Sequence, residues 1–359
     1  MSAQTESTTD QVDYTEEELL SDVSCVEPLI ANGVRCHGGF DEDGQYRSPR
    51  TRFRTPAIAA WQRQLENQGH DLLQISPDLI PPTHPSVAQA KLLLMNGARE
   101  PIVRALTIIS IVEGFGAMIR DVKVPNLRER VADPIDGTAL DHLTQGLFEA
   151  HARDESGYRD EGGHKQMWEA ARDAALENPK IPGDVLMRLM GRRGRRGGAE
   201  PLFPEIGEPL EWMLGLMANV LVVEVIAEET FELGISLLSD PSVSAAPDAA
   251  GAMIAHIRAD EKPHVEYLRT ALSEVRARDL KTIDGKILPG RAVIDGLLHR
   301  TLREITRNRP REQREDIREG LEAQVAHTPN ARALLEEFDA LESNWTPPET
   351  TGFEPRDAA

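Results

Sequence analysis

The chain is poor in cysteine and in positive charge, and it has no long uninterrupted apolar run. Cys25 and Cys36 are the two cysteines, and neither sits in a CxxC pair. Two thiols cannot build a disulfide framework, so the expected compartment is a reducing one. Forty basic residues face sixty acidic ones, for a formal charge of −20. Such a balance repels phosphate polymers and argues against a general nucleic-acid binder. No apolar run approaches the roughly 20 residues needed to cross a bilayer. The first residues, MSAQTESTTDQVDYTEEELLSD, are polar and acidic, unlike a signal or transit peptide. These absences lead to the expectation of a soluble cytoplasmic protein with no membrane and no nucleic-acid partner. Its 359 residues leave ample room for a core.

What is present is helical pattern. Residues 1–24 read as a disordered acidic tail, and 25–85 as an N-terminal extension with one helix over 56–69. From 86 to 278 apolar residues recur at helical spacing. Helices are expected over 86–97, 101–121, 138–178 (interrupted by Gly157, Gly162 and Gly163), 208–239 and 248–278. A C-terminal extension, 279–345, adds a hairpin near 281–290 and helices near 291–307, 311–325 and 330–342, and 346–359 reads as a disordered tail. The expected class is all-α. One stretch is compositionally odd: RLMGRRGRRGG at 188–198 holds five arginines and four glycines. It reads as a solvated loop between helices, or as a clamp for an anion or partner.

The chemistry lies in a repeated tetrad, D-E-x-x-H, at 160–164 and again at 260–264. On a helix, positions i and i+3 share a face, so each copy would aim a carboxylate and an imidazole the same way. Around the second copy the stripe is Ile254, Ile257, Glu261, His264, Leu268, Ala271, Val275; around the first it is Tyr158, Glu161, His164, Trp168, Ala171, Ala175. Both pairs therefore interrupt an apolar seam, where an uncompensated charge is costly. The helices before them repeat the anomaly, with Glu113 in IISIVEGFGAMI, and Glu224 and Glu228 in the 208–239 seam. Gly114 and Gly116 weaken the Glu113 helix, by roughly 1 kcal/mol each, which suits a close approach there. Carboxylate oxygen with imidazole nitrogen suits iron, manganese or zinc.

The order E … ExxH … E … ExxH resembles the ferritin-like di-metal carboxylate proteins, in which two helices each give a Glu and two others each give an ExxH. The resemblance covers about residues 86–278 and implies a four-helix bundle. It implies Glu113, Glu161, His164, Glu228, Glu261 and His264 as metal ligands, with Glu224 as the alternative to Glu228. Glu161 and Glu261 would bridge, Glu113 and Glu228 would be terminal, and each histidine would serve one metal. The implied cofactor is two iron ions, alternatively Fe/Mn or Mn. The implied activity is a non-haem di-iron oxygenase or oxidase acting on an organic substrate with O2 and an electron donor, the homodimer being one assembly it allows. Iron handling of the ferroxidase kind and a non-enzymatic helical scaffold are the rival readings.

Helix heights, at about 1.5 Å per residue, test this set. Glu228 lies 11 residues before Ser239 and Glu261 lies 13 after Asp248, which agrees; Glu113 lies 8 before Asp121 but Glu161 lies 23 after Thr138, which does not. Glu149 is at the better height, with His151 and Glu155 nearby, but it lacks a histidine at i+3 and ranks second. Pro263 and the Gly162-Gly163 pair should distort both ligand helices at the site, π-bulges being one form. Phe115, Trp168, Phe231 and Tyr267 read as core, with Tyr267 the best redox-relay candidate. His256 reads as a surface or supporting group, and Cys36-His37 as no metal site.

Overall fold

A computed structural model describes residues 11–185, 200–326 and 330–354. The Arg/Gly stretch 188–198 lies outside the described residues. Helix makes up 59% of the chain and strand 7%, so the chain is mostly helical, and the all-α expectation is corrected by small sheets.

The N-terminal sheet is antiparallel in the order β1 (Glu27–Ala31), β2 (Val34–Phe40), β3 (Tyr46–Arg47). Ala31 pairs with Val34 across a tight turn at Asn32-Gly33, both of which have positive φ. Next come α1 (Arg54–Asn67), α2 (Val87–Met95) and α3 (Glu100–Gly116), the last continued by a 3₁₀ segment to Asp121. The expected helix over 138–178 is in several pieces. A turn at Ala139–His142 and a π-helical Leu143–Leu147 lead into α4 (Phe148–Ser156), and α5 (His164–Ala175) follows a loop. A 31-residue helix, α6 (Glu208–Leu238), precedes α7 (Pro247–Asp260) and α8 (Lys262–Arg276). The hairpin β4 (Asp279–Lys281) and β5 (Ile287–Pro289) then leads to α9 (Gly290–Arg303), α10 (Arg309–Val325) and α11 (Ala331–Ala340).

Helix α3 packs on α4 and α5, α6 packs on α7 and α8, and α5 packs on α7. Two apolar clusters result. One gathers Phe148, Leu214, Met217, Leu221, Tyr267 and Leu268; the other gathers Leu106, Met167, Trp168, Phe231, Ile254 and Ile257. Gly234 lets Trp168 pack closely, since a Cβ there would lie 2.7 Å from the indole. The N-terminal extension is part of these cores: Leu29 and Cys36 join one, Ile58 and Trp61 the other. Residues expected as tails are packed too. Thr15 and Glu18 form a capping box, Leu19 is fully buried, the Tyr14 N–H donates to His142 Nε2 at 3.0 Å, and Phe353 is buried.

Two of the described helices pass a length and composition test that the core helix of a soluble protein also passes. Glu100–Asp121 and Glu208–Leu238 are long and apolar enough to cross a membrane by length and composition, with 33% and 50% of their apolar windows buried. A few acids per helix, Glu113 in one and Glu224 in the other, do not lower the mean hydropathy enough to fail that test.

Candidate metal centre

The two tetrads fold differently. Glu261 joins α7 to α8, and Pro263 occupies the first turn of α8, where its missing N–H costs no helical bond. The chain stays helical enough across this joint for Glu261 Oε2 to reach His264 Nδ1 at 2.7 Å. Asp160, Glu161 and the two glycines of the first tetrad lie in the loop 157–163, and His164 opens α5. Gly157 has φ +81°, and Tyr158 and Glu161 exchange backbone hydrogen bonds, so the chain doubles back over the end of α4. A Cβ on Gly163 would lie 2.5 Å from the Asp154 carbonyl oxygen, so this return needs glycine. Strand β2 docks on the same loop, the His37 N–H donating to Gly162 O and the Gly162 N–H to Arg35 O. Glu161 therefore faces outward and pairs with Arg35 at 3.2 Å, its side chain 30% exposed. Glu161 is corrected as a ligand: without a helix, the i to i+3 rule does not apply. Distortion at both tetrads is present, as a helix break at one and a loop at the other; the π-helical segment lies upstream, at Leu143–Leu147.

Glu155 stands where Glu161 was expected, at the end of α4. Its Oε1 lies 3.2 Å from His264 Nδ1, 3.6 Å from His164 Nδ1 and 3.7 Å from His151 Nε2. A Cβ on Gly116 would meet Glu155 Cγ at 2.6 Å, which is the close approach that the α3 glycines suggested. Glu261 Oε1 lies 2.9 Å from His164 Nδ1. Glu155 and Glu261 thus each reach both histidines. Glu113 Oε2 lies 3.7 Å from His164 Nδ1. Across the cluster, Glu224 Oε1 lies 3.4 Å from His151 Nε2, and the His151 ring stacks on His264 at 4.0 Å. Glu228 is the second correction. It is half-exposed and pairs with Arg258; it sits on the next turn of α6, rotated about 40° from Glu224 toward solvent. Glu149 is bonded to Arg153 at 2.7 Å, outside the cluster.

Two of the histidines that face the cluster have a buried aspartate behind them, hydrogen-bonded to His264 but not to His164. His264 Nε2 lies 2.9 Å from Asp154 Oδ2, and His164 Nε2 lies 3.6 Å from Asp260 Oδ2. Asp154 also accepts from Arg50 Nε at 2.6 Å and pairs with Arg54 at 2.8 Å. Asp260 accepts from the Tyr46 hydroxyl at 2.7 Å and lies 3.2 Å from His37 Nε2. With Nε2 turned to a carboxylate, Nδ1 is left as the inward lone pair, as in carboxylate–histidine–metal triads. His37, beside Cys36, thus reaches His164 (ring centroids 5.2 Å apart), which sequence reasoning did not anticipate, and His256 stacks on Tyr46. The overlooked signal is a second Asp-Glu pair: Asp154-Glu155 plays the part that Asp160-Glu161 was given.

The electrostatics are those of an acid cluster without a cation. Burial, then Glu155 and Glu261, push Glu113 and Glu224 well above the usual carboxyl range. Burial alone would lower the His164 and His264 imidazoles, yet Glu261 and its neighbours pull both well above theirs. Burial would raise Glu261, but those same two imidazoles hold it low. His151 is pushed down by burial and by His264, which suits a neutral nitrogen donor. Burial would raise Asp154 too, but Arg50 and Arg54 hold it well below its usual value.

Among the described residues, the ion pairs of Glu113, Glu155, Glu224 and Glu261 are all to histidines, with no lysine or arginine among them. His151 Nε2, His164 Nδ1, Glu155 Oε2 and Glu261 Oε1 are buried and make no hydrogen bond. Buried polar atoms rarely stay unsatisfied without reason. Ligand atoms of His151, Glu155, Glu224 and His264, and again of Glu155, His164, Glu261 and His264, lie within 4.8 Å of one another. These two groups could hold metal ions, and a third, His37, His164 and Asp260, lies on the far side of His164, so the expectation that Cys36-His37 has no part in a metal site is qualified. No family model matches this chain, and no curated protein or solved structure matches it either.

Proposed function

We propose that the chain is a ferritin-like di-metal oxidoreductase that uses dioxygen to oxidise an organic substrate. The observation that supports this reading best is the convergence of Glu155 and Glu261 on the inward Nδ1 atoms of His164 and His264, with a buried aspartate behind each imidazole. Four carboxylates balance two divalent cations. Glu155 and Glu261, within reach of both His164 and His264, would help hold both ions, with Glu113 on the His164 side and Glu224 on the His264 side. A bound pair of iron ions supplies reducing equivalents to oxygen.

The residues of the chain do the rest. Asp154 would fix the His264 tautomer, and Asp260 faces His164 Nε2. The two apolar clusters flank the polar layer and keep bulk water from it. Glu113 and Glu224 keep 11% and 9% of their side-chain exposure, so the layer meets solvent at its α3 and α6 edge. The pairing of α3 with α4 and α5, and of α6 with α7 and α8, is consistent with four rods around one centre.

The test is metal analysis of the full chain, followed by oxygen uptake of the reduced, iron-loaded protein with and without organic substrates. About two transition-metal ions per chain and substrate-dependent uptake are expected. Uptake that depends only on added ferrous iron would move the assignment to iron handling, and failure to retain metal would end it.

A further inference from the structure

Resting on that reading, we infer that the two metal positions are chemically unequal: His151 makes the His264 side nitrogen-rich and selective for zinc or iron, while the His164 side is oxygen-rich and selective for manganese.

The asymmetry is in the side chains. His264 has a second imidazole stacked on it, and His151 Nε2 points at Glu224 Oε1 (3.4 Å) and Glu155 Oε1 (3.7 Å) with no hydrogen-bond partner of its own. The other nitrogen, His151 Nδ1, lies 3.2 Å from the Tyr267 hydroxyl. In the tautomer that donates from Nδ1 to that hydroxyl, Nε2 is a lone pair aimed at Glu224 and Glu155. The His264 position therefore has two imidazole nitrogens, Glu224 and the shared Glu155 and Glu261.

His37 does not balance this on the other side. Its ring stands edge-on to His164, but its Nε2 is on Asp260 and its Nδ1 faces Arg50 Nη2 at 3.3 Å. Both His37 nitrogens are thus turned to groups other than the shared carboxylates. The His164 position keeps one nitrogen, Glu113 and the shared carboxylates.

The aspartates behind the imidazoles reinforce the difference. Two guanidiniums pair with Asp154 behind His264, whereas Asp260 behind His164 has no guanidinium and faces the His37 imidazole and the Tyr46 hydroxyl. Imidazole suits zinc, iron, nickel and copper, while carboxylate-rich sites suit manganese and magnesium.

Apo protein, stripped with a chelator, is given one equivalent of Zn²⁺, then one of Mn²⁺, and desalted. Metal analysis should find about one of each per chain, with the electron paramagnetic resonance of isolated Mn²⁺ and no coupled manganese pair. His151→Leu should retain both metals but scatter them, so that a coupled pair appears in a fraction of chains. Glu113→Gln should keep the zinc and lose the manganese, with circular dichroism confirming that each variant folds. A coupled pair in the unmutated protein overturns the inequality while leaving a di-metal centre intact. Unchanged one-to-one loading in His151→Leu overturns the role of His151. Retention of neither metal by the unmutated protein overturns both this inference and the reading beneath it.

Discussion

Replacing Glu155 and Glu161 by glutamine, one at a time, separates the centre drawn by the fold from the one spelled by the tetrad. Glu161 is in an exposed pair with Arg35, 3.2 Å long with side chains 30% and 63% exposed. Such a pair contributes at most about 1 kcal/mol, so Glu161→Gln should be nearly silent. Glu155 is buried among three other carboxylates. Its neutralisation relieves repulsion, so the metal-free Glu155→Gln protein should be no less stable than the unmutated one. Metal reverses the order. Ions at about 1,000 times their dissociation constant stabilise a folded protein by about 4 kcal/mol. At roughly 2.1 cal/mol/K of unfolding entropy per residue, the 359 residues translate this into a melting shift of about 5 °C. Thermal unfolding with and without Fe²⁺ or Mn²⁺ under anaerobic conditions should show that shift in the unmutated protein and in Glu161→Gln, and its loss in Glu155→Gln. If Glu161→Gln loses the shift and Glu155→Gln keeps it, the placement of the shared carboxylate is wrong.

Other perturbations probe the supporting groups. Asp260→Asn should weaken metal binding on the order of 10- to 100-fold while leaving the fold intact, as read by equilibrium dialysis. Asp154→Asn should also unfold more easily, by about 3–5 kcal/mol in denaturant titration, because it strands Arg50 and Arg54 as buried charges. Gly116→Ala would drive a methyl group into Glu155; a stability loss of about 1–3 kcal/mol and failure to retain metal with unchanged helicity are expected. Glu274 accepts the N–H groups of Ala139 and Leu140, yet burial pushes its carboxyl from an ordinary 4.5 up to about 7. A carboxyl raised in the fold ionises more readily unfolded, so stability should fall by about 3 kcal/mol as pH rises from 4.5 to 7. Glu274→Gln should flatten that part of the stability–pH curve.

Helical periodicity made most of the rods legible, because apolar residues at 3.6-residue spacing reflect burial directly. It also picked out Glu113, His164, Glu224, Glu261 and His264 as polar groups on buried faces. The helix-height mismatch at Glu161 was a true warning, since it measured a geometric conflict that the repeated letters concealed. From spacing alone Glu155 is only a neighbour of second-ranked Glu149, because its histidine partner is nine positions on, beyond a loop that no periodicity describes. Height also misled at Glu228. Two acids one turn apart share a stripe on paper, and only packing against Arg258 put one of them outside. The strands β1–β3 were illegible for a different reason: they are short, and their pairing partners include a loop backbone. The side chains they carry, His37 and Tyr46, could not be linked to the centre from local spacing.

Tyr46 and Asp260 are 214 positions apart when they meet. Contacts of such long range form late in folding, after most of the polypeptide has been synthesised. The bed behind His164 is therefore closed by the first part of the chain returning to one of the last helices. A ribosome-bound fragment lacking α7 and α8 has neither Glu261 nor His264 to offer. Ions would be captured by a finished molecule, through the edge where Glu113 and Glu224 remain within reach of water, and maturation would be a step after folding.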